Sequence, residues 1–233
     1  MRIILLIAFM HATLTIYGQV EGLWEVRRVT VGNDVMTPTG KWVRLEDGKQ
    51  TTGNGSIEHT YGSYQFNKKT SALTLITEND PNEDFGPFTV TKFGANAMTW
   101  IRIEEGQTVT VELTRIRNLP VTPADAIHGL WDLERAMKGN EDITNQLDPQ
   151  SKYWMFVRWD RIYQISTGTE RINGYWYINA HQPELRLMRF GREQEEDKWE
   201  VSFVVGKLVL LGISDSNKDQ VLTFGRLTQF PKP

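Results

Sequence analysis

The chain of 233 residues contains no cysteine. That absence excludes disulfide staples, thiolate metal sites, cysteine nucleophiles and a lipid-modified N-terminal cysteine. Histidine is scarce, with His11, His59, His128 and His181 as the only four. No two stand at metal-ligand spacing, and none neighbours a nucleophile arrangement, so no catalytic residue, metal or cofactor is expected. A charge excess is also missing: 26 Lys and Arg against 29 Asp and Glu leave a formal net charge of -3. Such a balance gives no basic footprint for nucleic acid. No stretch rich in Ala, Glu, Lys and Leu shows helical spacing, and beyond the N-terminus no apolar run approaches the ~20 residues of a membrane span.

What the sequence does contain is aromatic residues: 8 Trp, 10 Phe and 7 Tyr. These side chains favour strands, and the chain reads as β-rich throughout. The N-terminus stands apart. Arg2 precedes the apolar run Ile3 to Met10, and a small residue, Gly18, follows. This pattern predicts a secretory signal over residues 1–18, hence a periplasmic or secreted protein with no transmembrane segment after cleavage. An exported protein without disulfides must be held together by its cores alone.

The chain repeats itself. Gly22-Leu23-Trp24-Glu25-Val26 reappears as Gly129-Leu130-Trp131-Asp132-Leu133, and Gly32-Asn33-Asp34 as Gly139-Asn140-Glu141. Gly62-Ser63-Tyr64-Gln65-Phe66-Asn67 matches Gly174-Tyr175-Trp176-Tyr177-Ile178-Asn179, Leu73-Thr74-Leu75 matches Leu185-Arg186-Leu187, and Arg115-Ile116 matches Arg226-Leu227. The offset is 107 early (129 minus 22) and 112 later (174 minus 62), which places a five-residue insertion before Lys152. Five blocks in one order indicate an internal duplication.

Each copy divides into eight strand-like runs. They are read near 22–31, 41–46, 49–58, 61–67, 72–78, 86–92, 96–104 and 108–116, then 129–137, 151–159, 161–167, 173–178, 184–190, 198–205, 207–213 and 220–227. Tight turn signals such as Asp47-Gly48, Glu105-Gly106 and Gly206-Lys207 separate them. Such short links demand antiparallel pairing, and eight strands in a meander close into an up-and-down barrel. The fold class is therefore all-β: two tandem antiparallel eight-stranded barrels, over residues 19–118 and 128–233. The linker, 119–127, carries Thr122-Pro123-Ala124-Asp125, a capped helical turn placed to close the base of the second barrel.

Gly22-x-Trp24 with Arg115, and Gly129-x-Trp131 with Arg226, resemble the lipocalin signature. The resemblance extends over nearly the whole mature chain and points to small bacterial secreted lipocalin-like domains. It implies that each Arg packs over its Trp at the closed end of a barrel, and that residues 32–40 and 138–150 fold across the mouths. Each copy is shorter than a typical lipocalin and leaves no room for the helix after the last strand. Short strands make a narrow barrel, which side chains alone can fill.

Other motifs read as structure. Gly53-Asn54-Gly55 lacks the Lys-Ser/Thr of a phosphate loop and marks a tight turn. Asp215-x-Asn217-x-Asp219 lacks the Gly and Glu that complete a calcium loop, and Glu193 to Asp197 is a solvated charge run. The functional signal lies in the aromatics: Trp42, Tyr64, Phe66 and Trp100 in the first copy, Trp154, Trp159 and Trp176 in the second. All are read on strands, and some should point inward to line an apolar pocket. The expectation is a non-enzymatic binding protein for a small apolar or amphipathic ligand. The alternative is a non-catalytic cell-envelope module with solid barrels, binding protein or glycan through exposed aromatics.

Overall fold

A computed structural model describes residues 20–38, 40–78, 86–192 and 195–231, with Lys92 and Phe93 described by their backbone only. The expected signal peptide and two residues of the charge run, Glu193 and Gln194, lie outside the described residues. The first sheet comprises β1 (Gly22–Val31), β2 (Asp34–Met36), β3 (Trp42–Glu46), β4 (Lys49–Asn54), β5 (Ile57–Asn67), β6 (Ala72–Thr77), β7 (Phe88–Phe93), β8 (Ala97–Glu104) and β9 (Gln107–Ile116). After α1 (Pro123–Ile127) comes the second: β10 (Gly129–Lys138), β11 (Glu141–Asp142), β12 (Tyr153–Val157), β13 (Ile162–Thr167), β14 (Arg171–Ile178), β15 (Glu184–Arg189), β16 (Glu196–Val204), β17 (Lys207–Gly212) and β18 (Gln220–Leu227). A single turn, α2 (Thr144–Leu147), lies between β11 and β12.

Both sheets are antiparallel meanders that close on themselves, since β1 pairs with β9 and β10 with β18. Each is an eight-stranded barrel; β2 and β11 are short returns on the first strand of each copy. Closure depends on a bulge at the same place in both: the register shifts between Val26 and Arg28, and between Leu133 and Arg135. The extra residue bends the first strand, so that one end pairs with β3 or β12 while its length follows the last strand. The two barrels are copies of one plan, and the sequence repeat is the record of it. Among the described residues, no helix is long and apolar enough to cross a membrane.

Alternation along the strands fills each interior. In the first barrel Trp24, Val26, Leu45, Leu73, Phe88, Met98, Trp100 and Leu113 form one buried cluster with Tyr64. In the second, Trp131, Leu133, Met155, Tyr163, Trp176, Leu185, Trp199, Leu210 and Phe224 do so. Burial of this kind is worth roughly 1.5–3 kcal/mol per large apolar side chain, which is how a cysteine-free chain is held together.

The expected helical turn is α1, capped by Thr122 with Pro123 at its first position, and Asp125 Oδ2 accepts the Thr122 N–H at 2.9 Å. Ala124 and Ile127 join the core of the second barrel, closing its base as expected, and Ile57 from the first barrel packs there too. The five-residue insertion coincides with α2, where Ile143 and Leu147 cover the far end of the same core. The corresponding loop of the first barrel carries the exposed Val35 and Met36.

Candidate functional site

The contacts of the structural signature recur in both copies. Trp24 and Arg115 are directly opposite across β1 and β9, as Trp131 and Arg226 are across β10 and β18. The guanidinium of Arg115 lies 4.2 Å from the Trp24 ring centroid, and that of Arg226 lies 4.4 Å from Trp131. Each indole N–H donates to the carbonyl four residues earlier, Val20 at 2.8 Å and Ile127 at 2.7 Å. Arg115 donates to the Glu21 carbonyl and Arg226 to that of His128. Gly22 (φ 136) and Gly129 (φ 121) have conformations that L side chains rarely adopt, and a Cβ on either would collide with the guanidinium. Gly22, Trp24, Arg115, Gly129, Trp131 and Arg226 thus form a pair of structural clasps.

The ligand-binding candidates divide three ways. Tyr64, Trp100 and Trp176 point inward and are buried, and Phe66 packs against the same core from a partly buried position. The Tyr64 hydroxyl donates to Glu21 Oε1 at 3.0 Å, while its counterpart Trp176 donates to the Arg158 carbonyl at 2.7 Å and meets His128 edge-on. Burial and the Glu21 carboxylate push the Tyr64 hydroxyl up to about 12. These aromatics fill the barrels.

Trp42 and Trp154 face outward, because Val43 and Leu45, and Met155 and Val157, take the inward positions of their strands. Trp159, read from the sequence as part of a strand, is instead 79% exposed in the turn between β12 and β13. That hairpin is held by Arg158, which pairs with Asp160, so the strand ends two residues before the tryptophan. Asn217, in the motif that echoed a calcium loop, spends its side chain on the turn: Nδ2 donates to the Lys198 carbonyl and Oδ1 accepts from the Ser214 N–H.

Two concave regions lie on the second barrel, both outside its core. The larger, about 760 Å³, has Trp154 and Phe230 at its base, with Lys152, Gln164, Thr169 and Arg171 among its lining. Phe230 meets Trp154 edge-on at 5.2 Å and Phe156 at 5.3 Å, so the segment after β18 lies along the barrel wall. The Arg171 guanidinium stands 5.9 Å from the Trp154 ring. Glu170, on the same rim, is paired with Arg189. An aromatic floor with amide, hydroxyl and cationic groups around it suits recognition of a polar or anionic segment. The smaller region, about 400 Å³, is bounded by Arg161, Tyr175, Trp176 and Tyr177 on the side nearer the first barrel.

The two barrels touch across a polar junction. Arg161 bonds to His59 Nδ1 at 2.6 Å, His181 Nε2 meets the Gly40 carbonyl at 3.1 Å, and Asn54 Nδ2 donates to the Ile178 carbonyl at 3.1 Å. Burial and the Arg161 charge depress His59 to about 4; burial also lowers His128 and His181.

Sequence reasoning named Trp154 but missed Lys152, Thr169, Arg171 and Phe230. The repeat held the signal. Gly168-Thr169 stands against Gly55-Ser56, and Phe230-Pro231 against Leu119-Pro120, so a groove on one copy has a counterpart to compare with on the other. The chain matches no protein-family model, no curated protein and no solved structure.

Proposed function

We propose that this chain is a lipocalin-like, exported, non-catalytic interaction module that binds its partner on the outer surface rather than carrying a small ligand inside a barrel. One observation carries the reading: the inward aromatics of both copies are buried within continuous cores, while the larger groove opens on the outside of β12 and β13. A carrier of the expected apolar ligand needs inward positions left small enough to hold cargo. Here Trp100, Trp176, Trp199 and Phe224 occupy that space.

The groups around the groove are recognition groups. Lysine, arginine, glutamine and hydroxyls bind and orient, and Glu170 is held in an ion pair with Arg189. The paired Gly-x-Trp and Arg clasps support lipocalin-like ancestry, with the cavity replaced by packing.

Native mass spectrometry of the mature protein, after incubation with mixed phospholipids and fatty acids, tests this. The bare polypeptide mass is expected; a one-to-one lipid adduct that disappears on denaturation overturns the surface reading in favour of a carrier. Export is tested on the same material by N-terminal sequencing. A chain beginning at Gln19 supports it, and a chain retaining Met1 in the cytoplasmic fraction overturns it.

A further inference from the structure

On the first barrel the outer face around Trp42 is covered by the chain itself. Trp42 Nε1 donates to the Gly55 carbonyl at 2.8 Å, and the neighbouring Ser56 N–H donates to Asp125 Oδ1 at 2.7 Å. Asp125 and Thr122 stand where a side chain at Gly55 would be. This is a seat with an indole floor and a hairpin tip that offers one N–H. The acidic helical first turn Thr122-Pro123-Ala124-Asp125 takes that N–H through Asp125 and packs against Gly55.

The second barrel places the corresponding residues at the same register. Trp154 pairs with Ser166 across β12 and β13 as Trp42 pairs with Gly53 across β3 and β4. Gly168 (φ 82) and Thr169 stand where Gly55 (φ 61) and Ser56 stand on the first. The exits from the last strands correspond as well, Phe230-Pro231 following Leu227 as Leu119-Pro120 follow Ile116. Among the described residues no helix covers this face; Phe230 meets Trp154 edge-on and leaves the indole 8% exposed, and the space beside them is the 760 Å³ groove.

Its charge has shifted on balance toward the positive. Arg171 pairs with Ser166 as Glu58 pairs with Gly53, so a cation replaces an anion at the rim. Lys152 adds a second, and among the described residues neither forms a salt bridge. The one carboxylate on the rim, Glu170, is neutralised by Arg189. A seat whose intramolecular twin already grips an aspartate has become more favourable to one.

Resting on the surface-binding reading above, we infer that the groove over Trp154 is a docking site for an acidic helical first turn of a partner protein. The partner's carboxylate accepts from the Thr169 N–H, with Arg171 and Lys152 beside it. Its short apolar residues lie against the exposed ring of Phe230, beside the edge of Trp154.

The probe is a synthetic peptide of residues 118–128, the segment whose Asp125 accepts the Ser56 N–H on the first barrel, titrated into the full mature protein by NMR. Saturable shifts are expected at the Thr169 amide and the Trp154 indole, with a Kd below ~1 mM. An Asp125→Asn peptide, and the protein variant R171E at an exposed position, should each weaken binding by about tenfold. No shifts up to ~1 mM, or shifts that ignore both substitutions, overturn the proposal. Shifts confined to Ser56 would mean only exchange with α1, and also overturn it. Concentration-dependent self-association abolished by R171E would make a second copy the occupant and equally overturn it. A failed titration on protein free of lipid adducts removes this site alone, whereas a lipid adduct removes the surface-binding reading itself.

Discussion

The guanidinium of Arg161, on the second barrel, donates a hydrogen bond at 2.6 Å to Nδ1 of His59 on the first. A guanidinium has no acceptor, so this bond requires His59 to be neutral, with its proton on Nε2. Protonating the ring removes the acceptor and sets two cations against each other inside the junction.

The pH dependence follows. His59 titrates at about 4 in the folded protein against an ordinary value of 6.5, so the unfolded chain binds more protons between those values. The stability from the neutral ring is therefore complete above pH 6.5, falls as pH drops from there to about 4, and levels off below. His128 and His181 are also lowered and add to the same trend. Thermal melts from pH 7.5 to 3.5 should show Tm falling through this window, and His59→Gln should flatten the curve in part. An unchanged profile in the variant would show that the ring does not govern the junction.

The clasps make a second prediction. Gly22→Ala and Gly129→Ala each force a side chain into a positive φ and into the guanidinium above. Expelling the arginine forfeits its contact with Trp24 or Trp131 and its bond to the preceding carbonyl. Each substitution should cost about 2–4 kcal/mol in urea unfolding. Arg115→Met and Arg226→Met, which leave the backbone unstrained, should cost less than the alanines. A cost within experimental error for the alanines would show that the strand entry has other ways to relax.

These clasps were legible in the sequence because each is a glycine, a tryptophan and an arginine at fixed places in a repeat. The strands were legible for the same reason, bounded by turn residues such as Gly48, Gly106 and Gly206. The facing of the aromatics was not. Tyr153-Trp154-Met155-Phe156-Val157 is apolar at every position, so period two carries no signal there, and only the barrel decides that Trp154 faces out. Trp159, one residue beyond Arg158, gave the segment another aromatic past the end of the strand, where the Arg158–Asp160 pair holds the turn. The groove depends on the register between β12 and β13 and on where the segment after β18 lies, two tertiary facts that no local pattern encodes.

Asp125 links linker to barrel. One oxygen accepts the Thr122 N–H that starts α1, and the other accepts the Ser56 N–H at the tip of the β4–β5 hairpin. Asp125→Ala should therefore lose both a cap and an inter-barrel contact, about 1–3 kcal/mol together. The distinguishing effect is on cooperativity. Calorimetry of the native protein should give one transition, and the variant should broaden or split it, since the junction is small and polar. A single sharp transition displaced to lower temperature would place the coupling elsewhere, in Ile57 and the Asn54–Ile178 bond.

Equivalent core positions allow that coupling to be measured from both sides. Leu73 and Leu185 are both fully buried at matching places on β6 and β15. Truncating either to alanine removes the same methyl groups from a filled interior, so each should cost about 2–5 kcal/mol. If the barrels unfold as one unit, Leu73→Ala and Leu185→Ala lower the same transition by similar amounts, and the double variant adds the two losses because the sites share no partner. If they unfold separately, each variant lowers only its own barrel's transition. The second barrel should then be the more resistant, because its core also buries α1 and receives Ile57 from its neighbour. Tryptophan fluorescence resolves the cases: a Trp100→Phe background reports chiefly on the second core, and a Trp199→Phe background shifts weight to the first.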